Sequence, residues 1–126
     1  MTPNQITAAY RAVLELSNTV LPYKAARRVT LLKKQLAEEN DIVVDMEKKL
    51  VAQYGGEVRH GGACEFSDPD AAERFRTVLN EAREQEADIK LPTVDLSAHT
   101  GLIRISPAAI EALEGIVIFE KEVEDG

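Results

Sequence analysis

The side chains best suited to chemistry in this sequence are two histidines and a single cysteine. His60 and Cys64 flank the Gly61-Gly62 pair, and in one hairpin register they would face each other as two zinc ligands. A structural zinc site needs four ligands, and the other histidine, His99, belongs to a distant turn. The pattern therefore favours a lone histidine and a free thiol. We expect no metal and no cofactor, although two copies of the chain would together supply four ligands.

A second cluster of reactive side chain types is Asp95, Ser97 and His99, which alternate within one short segment. Catalytic triads are assembled from separate elements around a buried carboxylate, so this cluster is more typical of a polar turn. Acidic pairs such as Glu38-Glu39 are typical of solvated helix faces. The glycine pairs lack the lysine of a phosphate-binding loop. We therefore predict no catalytic residue and no enzymatic activity.

Length, charge and cysteine content narrow the class of protein further. A chain of 126 residues corresponds to one domain. Its net charge of −7 argues against direct binding to nucleic acid, because phosphate binding depends on Lys and Arg. A single cysteine excludes an internal disulfide and favours a cytoplasmic protein. We expect no signal peptide and no membrane span, since no run approaches the roughly 20 apolar residues that a span requires.

The longest pattern in the sequence predicts one helix from Pro22 to Tyr54, because apolar residues recur there with a period of seven. The apolar seam of this helix consists of Val29, Leu32, Leu36, Val43, Met46 and Leu50. The helix would be about 50 Å long at about 1.5 Å per residue, which exceeds the diameter of a compact chain of this size. We therefore expect it to bend or break near Asn40-Asp41, or to project from the body.

Two further helices are predicted on either side of the long one. Thr2-Pro3 is a helix-start signal, and that helix would end near Ser17. Asp68-Pro69 is a second start signal, for a helix that would run to about Ala87. Its apolar stripe, from Phe75 to Leu79, would fold back against the seam of the long helix.

A β-hairpin is predicted between the long helix and the returning helix, around Gly61-Gly62. A two-residue turn would place Val58 opposite Glu65. A three-residue loop would instead place Val58 opposite Phe66 and Arg59 opposite Glu65. We favour the second register, because it matches apolar with apolar residues and opposite charges with each other.

The sequence changes character after Asp88. Residues 89–96 are extended in type, and residues 102–105 and 116–119 are predicted strands. A short helix opened by Ser106-Pro107 and closed by Gly115 lies between those two strands. The strands could pair with each other or with residues 89–96. The whole chain is predicted to be a single domain with a helical part (3–88), a β-rich part (89–120) and a frayed acidic tail (121–126).

The predicted fold class is α+β and helix-dominated. It combines a long αα-hairpin, a β-hairpin at its tip, and a small C-terminal β element with one short helix.

The order of these elements, the charged stretch Leu31–Glu39, and the closing segments Ile89–Pro92, Ile105–Pro107 and Leu113-Glu114 carry a resemblance. In layout the chain resembles a family of small uncharacterised proteins of tailed phages and prophages. The resemblance covers most of the chain. It implies a phage or prophage origin and a non-enzymatic part, and it assigns no functional residue.

The function that these patterns favour is an interaction or assembly protein that acts through its helical hairpin and forms a homo-oligomer. Apolar residues that the seam does not use are Leu31, Ile42, Val44 and Val51. The predicted contact residues are Arg27, Arg28, Leu31, Lys34, Ile42 and Val44. The basic start of the helix could dock an acidic partner or the chain's own acidic tail.

The alternative function is an acidic inhibitor or regulator that binds a basic site on another protein, as a nucleic-acid mimic would. It is motivated by the net charge and by the acidic tail, and it predicts clustered carboxylates and salt-sensitive binding. A small enzyme or a metal protein is the least favoured class.

Overall fold

A computed structural model describes residues 1–60 and 62–120. The elements in chain order are α1 (Pro3–Leu16), α2 (Tyr23–Gln53), β1 (Gly56–Val58), β2 (Cys64–Phe66), α3 (Pro69–Arg83), β3 (Val94–Asp95), a 3₁₀ helix (Ser97–Leu102), α4 (Pro107–Ala112) and β4 (Val117–Ile118). The predicted α+β, helix-dominated class is confirmed, with its long helix, its β-hairpin and its small C-terminal sheet.

The helices begin where the sequence signals predict. The Thr2 hydroxyl accepts a hydrogen bond from the Gln5 N–H (3.2 Å), and the Gln5 side chain accepts one from the Thr2 N–H (2.9 Å), which forms a capping box at the start of α1. The side chains of Asp68 and Ser106 likewise accept hydrogen bonds from backbone N–H groups at the starts of α3 and α4. Gly115 follows α4 with a φ of +81°, as expected for a residue that closes a helix.

The long helix α2 is continuous, so the break expected near Asn40-Asp41 is absent. Asn and Asp each lower helix propensity by at most about 0.7 kcal/mol. Burial on both sides outweighs that cost, because Leu36 and Val43 are 0% and 7% exposed. The Asn40 side chain is also tied to α1, where the Thr7 hydroxyl donates to its Oδ1 (3.1 Å). Packing therefore keeps the helix intact where its propensity is weakest.

The main hydrophobic core lies between α1, the first half of α2 and the C-terminal segment. Its fully buried leucines are Leu16, Leu32, Leu36, Leu96 and Leu113. The first half of the α2 seam is thus covered by α1 and by the C-terminal segment. The prediction that α3 covers the seam was wrong over this half. An apolar stripe shows that a helix has a buried face but does not identify the element that buries it.

A second, smaller cluster closes the far end of α2. Val51, Phe75 and Leu79 are buried there, and the rings of Tyr54 and Phe66 pack around them. The Phe75 ring lies 6.4 Å from that of Tyr54 and 5.0 Å from that of Phe66, between ring centroids. The prediction that Val51 is a spare surface residue was wrong, because α3 folds over it and leaves it 3% exposed.

The helices α1 and α3 lie end to end along α2. At their junction the Met1 amino group donates to the Ala87 carbonyl (2.7 Å), and the Ala87 N–H donates to the Met1 carbonyl (3.0 Å). Arg83 near the end of α3 also pairs with Glu47 of α2 (2.9 Å). α1 has 14 residues and α3 has 15, against 31 in α2. This matching of lengths explains how a helix about 46 Å long is accommodated without a break.

The β-hairpin at the tip has a register that neither alternative predicted. Val58 lies opposite Cys64, and Gly56 lies opposite Phe66. The observed pairing is therefore shifted by two residues from the favoured one. Gly56 makes this register possible, because a Cβ at that position would lie 2.5 Å from the Phe66 ring. The ring is then free to pack on Phe75, and this tertiary contact is not visible in the pairing preferences of the two strands.

The predicted ion pair of Arg59 with Glu65 nevertheless forms, at 2.7 Å. Arg59 also reaches Glu57 at 3.5 Å. All three side chains are more than half exposed, so these pairs contribute little to the stability of the hairpin. Before the hairpin, Gly55 follows the predicted end of α2 at Tyr54, with a φ of +74° that a side chain would oppose.

The C-terminal sheet is a parallel pair in which Val94 lies opposite Val117 and Asp95 opposite Ile118. This is one of the two pairings that the sequence left open. The strand predicted at residues 102–105 is absent, because Ser97–Leu102 forms a 3₁₀ helix and the following residues have no regular structure. The helix α3 also ends four residues before the expected Ala87.

Besides its packing in the core, the start of α4 is hydrogen-bonded to a carboxylate of α1. The side chain of Glu15 accepts hydrogen bonds from the Ser106 N–H (2.5 Å) and from the Ser106 hydroxyl (3.0 Å).

The predicted acidic tail, residues 121–126, lies outside the described residues. Among the helices of the described part, none is long and apolar enough to cross a membrane.

Candidate interaction surface on the long helix

One side of α2, turned away from the buried seam, presents both charged and apolar side chains to solvent. Four of the predicted contact residues fall within about 80° of each other on this side, at about 100° per residue. Two acidic residues that the sequence analysis did not select share the same sector. We call this set the α2 stripe; it consists of Arg27, Leu31, Lys34, Glu38, Ile42 and Asp45.

The apolar members of the α2 stripe are exposed in spite of their size. Leu31 is 43% and Ile42 is 63% exposed. They are separated by 11 positions, which is about three helical turns, so they point in nearly the same direction. Single exposed apolar residues are ordinary on a protein surface. The unusual feature here is that both lie in a face that is otherwise charged.

Charge is divided between the two halves of α2. The cations of its first half are Lys24, Arg27, Arg28, Lys33 and Lys34, with no carboxylate between Tyr23 and Ala37. The carboxylates that follow are Glu38, Glu39, Asp41, Asp45 and Glu47, with no cation until Lys48. None of the five cations forms an ion pair with any residue that the structure describes. Of the five carboxylates, two form ion pairs within the described part of the chain: Asp45 with Lys49 (2.8 Å) and Glu47 with Arg83 (2.9 Å).

This charge order does not stabilise the helix. A helix carries partial positive charge at its N-terminus, so carboxylates in the first turn are favourable and cations there are not. The first turn of α2 has no carboxylate, and Lys24 lies within it. The hydrogen bond to Asp45 and the charge of Asp45 raise the pKa of Lys49 above its usual value. The five cations that have no ion pair with a described residue need another explanation than helix stability.

Two predicted contact residues lie outside the α2 stripe. Arg28 is exposed at its edge. Val44, 40% exposed, lies on the other side of the helix, where it lines a groove against Tyr10 and Leu14 of α1. The structure therefore brings together four of the six predicted residues. Glu38 and Asp45 were missed, although their spacings of four and eleven from Lys34 place them on the same side.

A second exposed apolar area, missed in the sequence, lies in the C-terminal segment. Leu102, Ile110 and Ile118 are 52%, 45% and 38% exposed. Ile110 lines a small concavity with Ile105 and Phe119. From the sequence, Leu102 and Ile118 were expected in strands and Ile110 in the short helix. Ile118 is exposed because no further layer of described residues covers the two-stranded C-terminal sheet, whereas Leu102 and Ile110 lie on the 3₁₀ helix and on α4.

The side chains that could take part in catalysis or metal binding do not come together in the structure. His60 and Cys64 are both exposed, and Cys64 lies across from Val58 rather than from His60. In the described residues no group of three or more His, Cys, Asp or Glu side chains could hold a metal. Asp95 accepts hydrogen bonds from the Ser97 N–H (2.9 Å) and hydroxyl (2.6 Å). That arrangement is a polar turn.

A concavity of about 900 Å³ opens between the start of α1, the 89–91 segment and the end of α4. Its walls are largely apolar, with Met1, Leu91 and Ile116. The polar side chains at its edge, such as Gln5 and Glu111, are solvent-exposed. Ligand sites usually combine apolar walls with a few convergent polar groups. This concavity has the walls without that convergence.

Comparison of the chain with protein-family models, with curated proteins and with solved structures gives no match.

Proposed function

We propose that this protein is a non-enzymatic interaction or assembly protein that acts through the exposed face of α2. The observation that carries this proposal is the α2 stripe, in which Leu31 and Ile42 are exposed among charges of which most have no partner in the described residues. Interfaces between proteins combine apolar contacts at their centre with charged groups that set orientation. The α2 stripe has both kinds of residue on one helical face.

Assembly as a homo-oligomer, a cytoplasmic location and a phage or prophage origin belong to the same proposal. The location is supported by the single cysteine. The origin is supported by the resemblance in layout, and the identity of the neighbouring genes tests it. The acidic-regulator alternative is less favoured, because carboxylates are spread over α2, the β-hairpin and α3, and several of them pair with basic residues of the same chain.

Site-specific photo-crosslinking tests the proposal. A benzophenone amino acid replaces Leu31 in one variant and Ile42 in another, and each variant is irradiated in the cell that makes the protein. We expect both positions to form a discrete adduct with a protein, either another copy or a different chain. The adduct formed from one of these two positions should disappear when the other position is changed to Lys.

The matched control is the same amino acid at Thr30, an exposed neighbour that points about 100° away from Leu31. This position should give no adduct of the same size. If Leu31 and Ile42 both fail to form any protein adduct, the face of α2 is not an interaction surface and the proposal is wrong.

A further inference from the structure

We infer that the α2 stripe binds the α2 stripe of a second copy of this chain, with the two helices antiparallel. This inference rests on the proposed function and names its partner. It is argued from the charge division of α2 and from the positions of Leu31 and Ile42 within it.

Charge complementarity sets the orientation. The half of α2 that contains Arg27 and Lys34 is basic, and the half that contains Glu38 and Asp45 is acidic. Two such helices side by side in parallel would place cations against cations and carboxylates against carboxylates. In the antiparallel arrangement each basic half lies against an acidic half, and it does so twice because of the two-fold symmetry. The chain is therefore complementary to itself in one orientation only.

One antiparallel register satisfies the charged and the apolar residues together. A two-fold axis near Leu36 places Lys34 opposite Glu38 of the second copy. The same axis places Arg27 close to the second copy's Asp45, and Leu31 close to its Ile42. The sums of these residue numbers differ by one at most, so a single register serves all three pairs. Beyond them Lys24 would approach Lys48, which limits the contact to residues 27–45.

A charge-exchange experiment tests the inference. The first variant carries Arg27→Glu and Lys34→Glu, which makes its α2 stripe entirely acidic. The second carries Glu38→Lys and Asp45→Lys, which makes the stripe entirely basic. Each variant alone would oppose like charges at both contacts of the dimer. A dimer of one variant with the other restores all four charge pairs, two of them with their signs exchanged. Sedimentation velocity and native mass spectrometry measure the species present.

We expect the natural chain to form a dimer that weakens with added salt, since its contacts are charged. Each variant alone should dimerise at least about tenfold more weakly, and the equimolar mixture should recover a heterodimer of near-natural affinity. The matched control is Arg74→Glu with Arg76→Glu, which makes the same charge change on exposed positions of α3. That control should dimerise like the natural chain. Circular dichroism of each variant confirms that the helices are intact.

Orientation is tested by cysteine pairing in a Cys64→Ser background. A mixture of the Leu31→Cys and Ile42→Cys chains should form a disulfide-linked heterodimer under mild oxidation. The Leu31→Cys chain alone should not, because its two copies would lie roughly 16 Å apart along the helix axis. Crosslinking of Leu31→Cys to itself in preference to Ile42→Cys would overturn the antiparallel arrangement.

Two results would overturn self-association through the α2 stripe: a strict monomer of the natural chain at high concentration, or a mixture of the charge variants that fails to form a heterodimer. These outcomes are distinct from failure of the proposed function. Photo-adducts from Leu31 with a different protein would keep the proposed function and replace the partner, whereas no adduct at all would remove both.

Discussion

Glu15 shows how one side chain can connect two distant parts of a chain. It is half-buried, and its two hydrogen bonds to Ser106 join α1 to the start of α4 across 91 positions of sequence. Nothing in the local pattern around Glu15 marks it as a tertiary contact, because it has the spacing of a solvated helix residue. Its role follows from where α4 begins, and the sequence does not contain that information.

Removing this carboxylate should cost stability. We expect Glu15→Ala to lower the free energy of unfolding by about 1–3 kcal/mol, because the Ser106 N–H and hydroxyl lose their partner in a part-buried position. Urea unfolding followed by circular dichroism measures the change. Glu111→Ala is the control, since Glu111 is an exposed acid of α4 without a hydrogen bond to α1, and it should change stability by less than about 0.5 kcal/mol. Equal effects of the two changes would show that the contact is unimportant.

Residues that act locally were the ones the sequence could predict. Thr2, Asp68 and Ser106 cap helices, and Gly55 and Gly115 end them, because each works through backbone geometry within a few residues. Gly56 was not recognised as a packing position. Its importance comes from the ring of a residue on the other strand, which is a tertiary contact.

The long helix joins two clusters that share no buried residue. The main cluster involves α1 and the C-terminal segment, and the second involves α3 and the β-hairpin. Between them, the residues before α1 and after α3 are joined by the two hydrogen bonds of Met1 with Ala87 and by the ion pair of the Met1 amino group with Glu86 (2.9 Å). Elements that share few buried contacts can open separately, so the tip is expected to be the less stable part.

A substitution in the second cluster tests this division. We expect Phe75→Ala to destabilise the tip by about 3 kcal/mol, because it removes the ring on which Tyr54 and Phe66 pack. Hydrogen exchange measured by mass spectrometry should show faster exchange in α3 and at the end of α2, with α1 little changed. Arg76→Ala, an exposed neighbour on the same helix, serves as the control and should leave the pattern intact. Uniform acceleration along the whole chain would instead indicate a single cooperative unit.

Elements with strong local signals were predicted, and those that depend on partners were not. The periods of seven and 3.6 residues identified α1, α2 and α3, since a helix is encoded along its own length. The partner of the α2 seam, the hairpin register and the false strand at residues 102–105 all depend on distant contacts. A two-residue strand such as β3 or β4 has almost no local signal of its own.

The described part of the molecule is elongated, because α2 is covered along its length by two helices in line and the β-hairpin lies beyond them. A compact chain of 126 residues would have a radius of gyration of about 14 Å. The sequence predicted only that the long helix would be longer than the diameter of such a globule. The end-to-end placement of α1 and α3 could not be predicted, since it depends on the contact of Ala87 with Met1.

The shape can be measured directly. We expect small-angle X-ray scattering of the monomeric chain to give a radius of gyration above about 14 Å, because the β-hairpin extends the molecule beyond a helix about 46 Å long and other elements pack beside that helix. The variant with Arg27→Glu and Lys34→Glu provides the monomer, and the natural chain extrapolated to low concentration is the comparison. A value at or below about 14 Å would mean that the tip folds back on the body.

At the scale of the whole molecule, the sequence predicted part of the candidate interaction surface on α2. The exposed apolar residues and the basic half of α2 were visible in the sequence, because exposure on a helix follows from its periodicity. Val44 and Val51 were misplaced, since the sequence shows neither the groove beside α1 nor the end of α2 that α3 covers. The acidic half of the stripe was noticed as composition and not as part of a surface.

The hydrogen bonds between Met1 and Ala87 couple the length of α2 to the lengths of α1 and α3. Each residue added to α2 would extend it by about 1.5 Å and turn everything beyond it by about 100°. The junction between α1 and α3 would then open unless one of those helices grew in step. Proteins built on this plan should therefore vary in correlated lengths, with gains in α2 matched by gains in α1 or α3. Such paired length changes offer a way to recognise distant relatives that residue-by-residue similarity does not reveal.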